Sequence, residues 1–189
     1  MTGADSTDLD ERALDAGQVL AQPLPGTSPL GTAALALAAA AEAGLYTPGS
    51  DSPQDALDRC VIVDGLTEIV EKMVIEEGSD GHGPGTVARY VDGFFTADGT
   101  RVATVTGSAL VLTMEPRMWQ YHTSSTVLDD GTFETHGVVD ATAVLHGITQ
   151  VLRVTGTGGR YAGKKGYMTL VMDDPTQRPP HYATAFVMA

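Results

Sequence analysis

The sequence predicts a mainly β protein, an eight-stranded antiparallel up-and-down β-barrel with an N-terminal helical arm. Two observations carry this expectation. From Cys60 onward, β-branched and aromatic residues alternate with polar ones in runs separated by short Gly-, Asp- and Pro-rich breaks. The run Met118–Asp140 (MWQYHTSSTVLDDGTFETHGVVD) then reads as two alternating strands around Asp130-Gly131, whose glycine would supply the positive φ of a tight turn. Roughly eight such strands joined by short turns leave no unpaired edge if the sheet closes, and a barrel of that size can hold one small ligand.

Taken in order, residues 1–58 form the expected arm and residues 59–189 the barrel. The first 28 residues are acidic, then rich in Pro, Gly and Ser (QPLPGTSP, Gln22–Pro29). Ser6 or Thr7 could cap a short, weakly amphipathic helix over Asp8–Leu20, too short to be stable without a docking surface. The alternative is a solvated acidic tail. The alanine-rich stretch TAALALAAAAEA (Thr32–Ala43) has the look of a signal-peptide core. It follows five acidic residues and a single Arg12, however, and is too short to span a bilayer. A helix over 30–44 is the better expectation, followed by the linker Thr47–Pro53.

The strands are expected at Leu66–Glu76, Thr86–Thr96, Arg101–Met114, the two halves of the hairpin, Leu145–Thr155, Gly166–Met172 and Tyr182–Met188. Ala97-Asp98-Gly99 marks a turn, and Gly107 inside the third strand marks a bulge or bend. With a two-residue turn, Asp129 faces Thr132, which sorts the hairpin into two faces. One carries Gln120, His122, Ser124, Thr126, Leu128, Phe133, Thr135, Gly137 and Val139; the other carries Glu134, His136 and Asp140, which suit water. The first face is therefore the interior, apolar or small with a few neutral hydrogen-bonding groups, as in a ligand cavity.

The net charge of −13 argues against nucleic acid and anionic membrane surfaces as partners. It fits a cytoplasmic protein, with a homodimer as the candidate assembly and the oligomeric state open. A single cysteine, Cys60, excludes an internal disulfide and a paired-cysteine metal knuckle. The five histidines, His82, His122, His136, His146 and His181, lack metal-ligand spacing, so no metal is expected. Gly158 to Lys165 nearly satisfies a phosphate-binding loop, but Lys165 stands where Ser or Thr should bind magnesium, and no helix follows. Its glycines fit a strand-to-strand corner instead.

Gln120 and His122 lie two apart on one strand and so point the same way. Placed inside, they either present hydrogen-bonding groups to a ligand or simply bond each other or buried water. Glu68 and Tyr90 sit on neighbouring runs, and Glu68 could equally be solvated, as Glu71, Lys72 and Glu76 are expected to be. Methionines such as Met114, Met118, Met168 and Met172 more often fill irregular apolar gaps than bind cofactors.

The string TGTGGRYAGKKGY (Thr155–Tyr167) resembles the glycine corner of allene oxide cyclase-like and dirigent-like barrels. With Tyr90, Asp98-Gly99, Gly107, Tyr121, Asp130-Gly131 and Gly137, the stretch from Val87 to Asp173 resembles small bacterial barrels that form spirotetronate and spirotetramate rings. Gln120-x-His122 with Tyr90 looks most like the spirotetramate-forming subgroup of the pyrroindomycin type, in which an extended N-terminal segment folds over the barrel mouth as a lid. Tetronate relatives carry aromatic residues near these positions, and His122 departs from them, which leaves the heterocycle open.

The resemblance implies a cofactor-free 4+2 cycloaddition, a Diels–Alder reaction, on a linear diene-containing polyketide. Gln120 and His122 would be catalytic, polarising the dienophile. Glu68, Tyr90, Phe133, Gly137, Met168 and Leu170 would contact the substrate. The rival expectations are a lipocalin-like carrier of an apolar metabolite and an allene-oxide-cyclase-like isomerase.

Overall fold

The computed structural model describes residues 29–78, 81–172 and 174–189. Eight strands, β1 (Val61–Glu76), β2 (Val87–Phe95), β3 (Arg101–Thr113), β4 (Trp119–Leu128), β5 (Gly131–Asp140), β6 (Gln150–Gly159), β7 (Lys165–Met172) and β8 (His181–Met188), form one closed antiparallel barrel. Each strand pairs with the next in sequence, and β8 returns to pair with β1. No edge is left to recruit another strand. The expected Asp8–Leu20 helix and lid segment lie outside the described residues.

The hairpin differs from expectation in register but not in facing. Leu128 pairs with Gly131, so the two-residue loop is Asp129-Asp130 rather than Asp130-Gly131. The pairing is displaced by two residues, an even number, so every side chain keeps its predicted side. Gly131 does not supply a positive φ. A Cβ there would stand 2.5 Å from the Gly158 carbonyl oxygen and 2.7 Å from the Tyr161 ring, so the glycine admits the neighbouring corner instead. Asp140, expected in water, is buried. Its carboxylate accepts from the Ala143 amide at 3.0 Å, capping α3 (Ala141–Leu145), and pairs with Arg117 at 2.7 Å. This helical turn, ended at Gly147 with φ +70°, displaces the start of the sixth strand from Leu145 to Gln150.

The alanine-rich helix α1 (Pro29–Glu42) lies outside the barrel against β7 and β8 with Ala36, Ala39 and Ala40 buried. Small side chains let helix and sheet approach closely. Its last turn is tied down where Glu42 accepts from both Arg153 and Tyr167. A second short helix, α2 (Pro53–Leu57), was not foreseen; Ser52 caps it by accepting from the Asp55 amide at 3.4 Å. Burial raises the Cys60 thiol pKa, keeping it in the less nucleophilic form.

One end of the barrel is filled. Phe94, Phe133 and Phe186 are completely buried, and Tyr161, from the glycine corner, is 1% exposed. The Phe133 and Phe186 rings lie 4.7 Å apart, and Tyr161 meets both edge-on at 5.9 Å. The glycines form the expected strand-to-strand corner, and its Tyr161 plugs this end of the barrel. The corner is latched to the β4–β5 turn, where Arg160 pairs with Asp130 at 2.9 Å.

Candidate active site

Above this aromatic floor the barrel holds a chamber of about 440 Å³, in the range of small-molecule sites. Alternation along the strands decides its lining. Tyr90, Asp92 and Phe94 share a face of β2, as do Gln120, His122 and Ser124 on β4. The rim is apolar, with Met73, Ile75, Met114 and Met118 beside α3 residues Val144 and Leu145. Of the predicted site residues, Gln120, His122, Glu68, Tyr90, Met168 and Leu170 all line the chamber.

Phe133 and Gly137 do not line it. Phe133 belongs to the sealed floor, one strand-pair step below the cavity. Gly137 faces His122 across the ladder, but a Cβ there would stand 2.9 Å from Leu152 Cδ2. It makes room for a lining residue rather than lining the chamber itself. Gly107 is also reassigned. The β3 irregularities fall at Arg101/Ala103 and Val111/Thr113, and Gly107 instead lies under the Tyr90 ring, where a Cβ would meet Tyr90 Cζ at 2.5 Å.

Gln120 and His122 bond each other, His122 Nε2 to Gln120 Oε1 at 3.1 Å. The Gln120 carbonyl oxygen can only accept, so His122 Nε2 carries the hydrogen and Nδ1 is left as an acceptor. Desolvation lowers the His122 pKa to about 4, so the ring is neutral at physiological pH. Gln120 Nε2 is 3.8 Å from Met118 Sδ, a weak acceptor, and retains its second N–H. The arrangement is directional: His122 holds Gln120, and Gln120 presents the donor. Tyr90 packs 6.3 Å from the His122 ring and is hydrogen-bonded to Ser124. Its phenol pKa is raised by burial, then by the charges of Glu68 and Asp92, so it too is neutral.

The residue that sequence reasoning missed is Asp92. Glu68, far from being solvated, is 5% exposed, and Asp92 is 4% exposed, and both line the chamber. The two carboxyl groups are hydrogen-bonded to each other. Burial, then the Asp92 charge, raises the Glu68 pKa well above the usual range; burial raises that of Asp92 to about 7. Glu68 therefore carries the shared proton and donates it to Asp92. Strand parity with Tyr90 could have revealed Asp92, but Asp92-Gly93 imitates a turn signal. Among the described residues no group of three His, Cys, Asp or Glu side chains is placed to hold a metal ion. No helix among them is long and apolar enough to cross a membrane.

Solved structures with this architecture include cycloaddition enzymes. The Diels–Alderase AbmU from Streptomyces koyangensis is 27% identical with a TM-score of 0.61, over 70% of this chain and 64% of that one. The match thus spans less than two thirds of AbmU. A nonspecific haem-binding cyclase that catalyses a cycloaddition in neoabyssomicin biosynthesis is also 27% identical, with a TM-score of 0.61 over 72% of this chain and 67% of that one. At 19% identity and a TM-score of 0.52, covering 69% of this chain and 98% of that one, a pyocyanin demethylase shares the fold alone. The same barrel thus supports different chemistry. The sequence profile of the allene oxide cyclase barrel-like domain matches residues 67–182, and the chain belongs to that family.

Proposed function

We propose that the protein is a cofactor-independent Diels–Alder cyclase of the cytoplasm. It closes the spiro-cyclohexene of a spirotetramate or spirotetronate polyketide from a linear diene-containing precursor. The observation that carries this is a largely apolar chamber into which one oriented amide donor, Gln120, projects. Cycloaddition transfers no proton or electron to the protein, so binding, orientation and polarisation are all that is asked of the residues. The likeness to two cycloaddition enzymes at 27% identity supports the same reaction class.

The wall, with Met168 and Leu170, folds the chain so that diene and alkene meet; such orientation lowers a barrier by up to about 7–11 kcal/mol in ideal cases. Gln120 N–H donates to an oxygen conjugated with the dienophile and draws electron density from it. That contribution grows where water is excluded. His122 acts through Gln120 as its positioning residue. Residues 1–28 are proposed as a lid over the mouth.

Incubation with a linear diene-tetramate, and separately with its tetronate counterpart, followed by chiral chromatography, tests the reaction. One stereoisomer formed faster than in buffer is expected. Uncatalysed product ratios with tight binding would instead make the barrel a carrier.

A further inference from the structure

The deepest polar group in the chamber is left unused by this chemistry. Glu68 pairs across the ladder with Phe94 of the aromatic floor, whereas Gln120 stands two residues from Met118 of the rim. The Glu68–Asp92 pair therefore lies at the floor end of a polar arc that descends from the mouth. The two carboxyl groups bond each other, and among the described residues no other side chain or amide donates to the buried Glu68 Oε2 and Asp92 Oδ1. Buried acceptors of this kind are costly to leave unmade, and charged ones more so. Among the described residues no Lys or Arg lines the chamber. Tyr90, bonded to Ser124, and Tyr182 sense the charges of the pair, and Glu71 adds a further negative charge beside Asp92. The pair is an acceptor site in search of a donor, at the closed end of an apolar cavity.

We propose that the Glu68–Asp92 pair docks a hydrogen-bond-donating group, a hydroxyl or an N–H, at the leading end of an elongated apolar ligand. The site fixes the direction of insertion: the donor-bearing end goes to the floor, and the remainder lies along the wall toward Gln120. A leading end that carries only an acceptor, such as an ether or ester oxygen, would set lone pairs against lone pairs and be rejected. Sites built around buried polar groups discriminate strongly against analogues that leave those groups unpaired. Docking of this kind follows from the chamber alone and does not depend on which reaction occurs there.

Three probes of equal heavy-atom count test it by titration calorimetry on the full-length protein: 1-decanol, decylamine and methyl nonyl ether. A hydrogen bond to a charged acceptor corresponds to a preference of about 10- to 100-fold for a donor-bearing probe over the ether. Preference for the alcohol alone identifies a hydroxyl as the natural donor; preference for the amine alone identifies an N–H. Glu68→Gln and Asp92→Asn, each checked for cooperative melting, should shrink that preference, because each places an amide donor where a carboxyl oxygen only accepted. Equal affinity for all three probes in the unmodified protein overturns the proposal without recourse to any variant. An amine preference that survives both substitutions overturns it as well, because the acidic surface is then the attractor. Failure of the cyclisation assay alongside a strong donor preference would refute the reaction and leave the docking site standing.

Discussion

Removing Gln120 and His122 singly and together separates a relay from two independent donors. His122 Nε2–H holds Gln120 Oε1 at 3.1 Å, which leaves only the Gln120 amide to reach a ligand oxygen. Gln120→Ala deletes that donor, and kcat/KM should fall by about 10- to 100-fold, equivalent to about 1.4–2.7 kcal/mol. The loss is smaller than for a full oxyanion hole because less charge develops in a cycloaddition. His122→Ala removes a neutral hydrogen bond with a net value of about 0.5–1.5 kcal/mol, and frees Gln120 to sample other rotamers. A fall of about 10-fold, mainly in kcat, is expected. The decisive measurement is the double variant, assayed on the linear precursor by initial rate. If His122 works only through Gln120, the double variant is no slower than Gln120→Ala, and the coupling energy equals the whole His122 effect. Strict additivity would refute the relay and make His122 a donor in its own right. His136, exposed on the opposite face, is the control, and His136→Ala should be silent. If both interior variants are also silent, wall shape alone carries the reaction.

Three further outcomes are expected. The Asp92 pKa is raised to about 7 in the folded protein, so the native state binds more protons than the unfolded chain between about pH 4 and 7. This contribution lowers stability as pH rises through that window. His122, lowered to about 4, acts oppositely, lowering stability as pH falls from about 6.5 to 4. Thermal melts from pH 4 to 8 should show Asp92→Asn with a shallower first slope, the buried Glu68 keeping its own share, and a gain in Tm relative to wild type above pH 7; a parallel profile would mean that Asp92 is not desolvated. Gly107→Ala drives a methyl into the Tyr90 ring, and a Tm drop together with loss of ligand affinity is expected; unchanged binding would show that Tyr90 is not a fixed wall. Deleting residues 1–28 should leave a cooperatively melting barrel that turns over poorly, and unchanged turnover would remove the lid from the proposal.

What could be read from the sequence was whatever depends on parity. A side chain's face along a strand alternates with period two, so Gln120 and His122 reached the chamber although the hairpin register was displaced; Tyr90, Met168 and Leu170, which the resemblance set against the substrate, line it too. Depth along the barrel axis has no such local signal. Phe133 shares the interior face yet lies in the floor, because depth is set by strand stagger around the whole circle. The Glu68–Asp92 contact is a cross-strand diagonal created by closure, and neither residue announces the other. Gly107 read as a bulge or bend and Gly137 as a substrate contact; each proved to be space for a neighbouring side chain, Tyr90 and Leu152, which only packing reveals.

The aromatic plug makes the chamber a cul-de-sac. Whatever enters between Met73, Met114 and Leu145 must back out the same way, past the same greasy lip. A flexible thread can slip in end-first. Under the proposed cyclisation, the rigid, rounder product has no back door and leaves against the direction of the next arrival. Traffic at one doorway then governs how often the barrel works, and a rim that welcomes the incoming chain too warmly slows the departure of what it becomes.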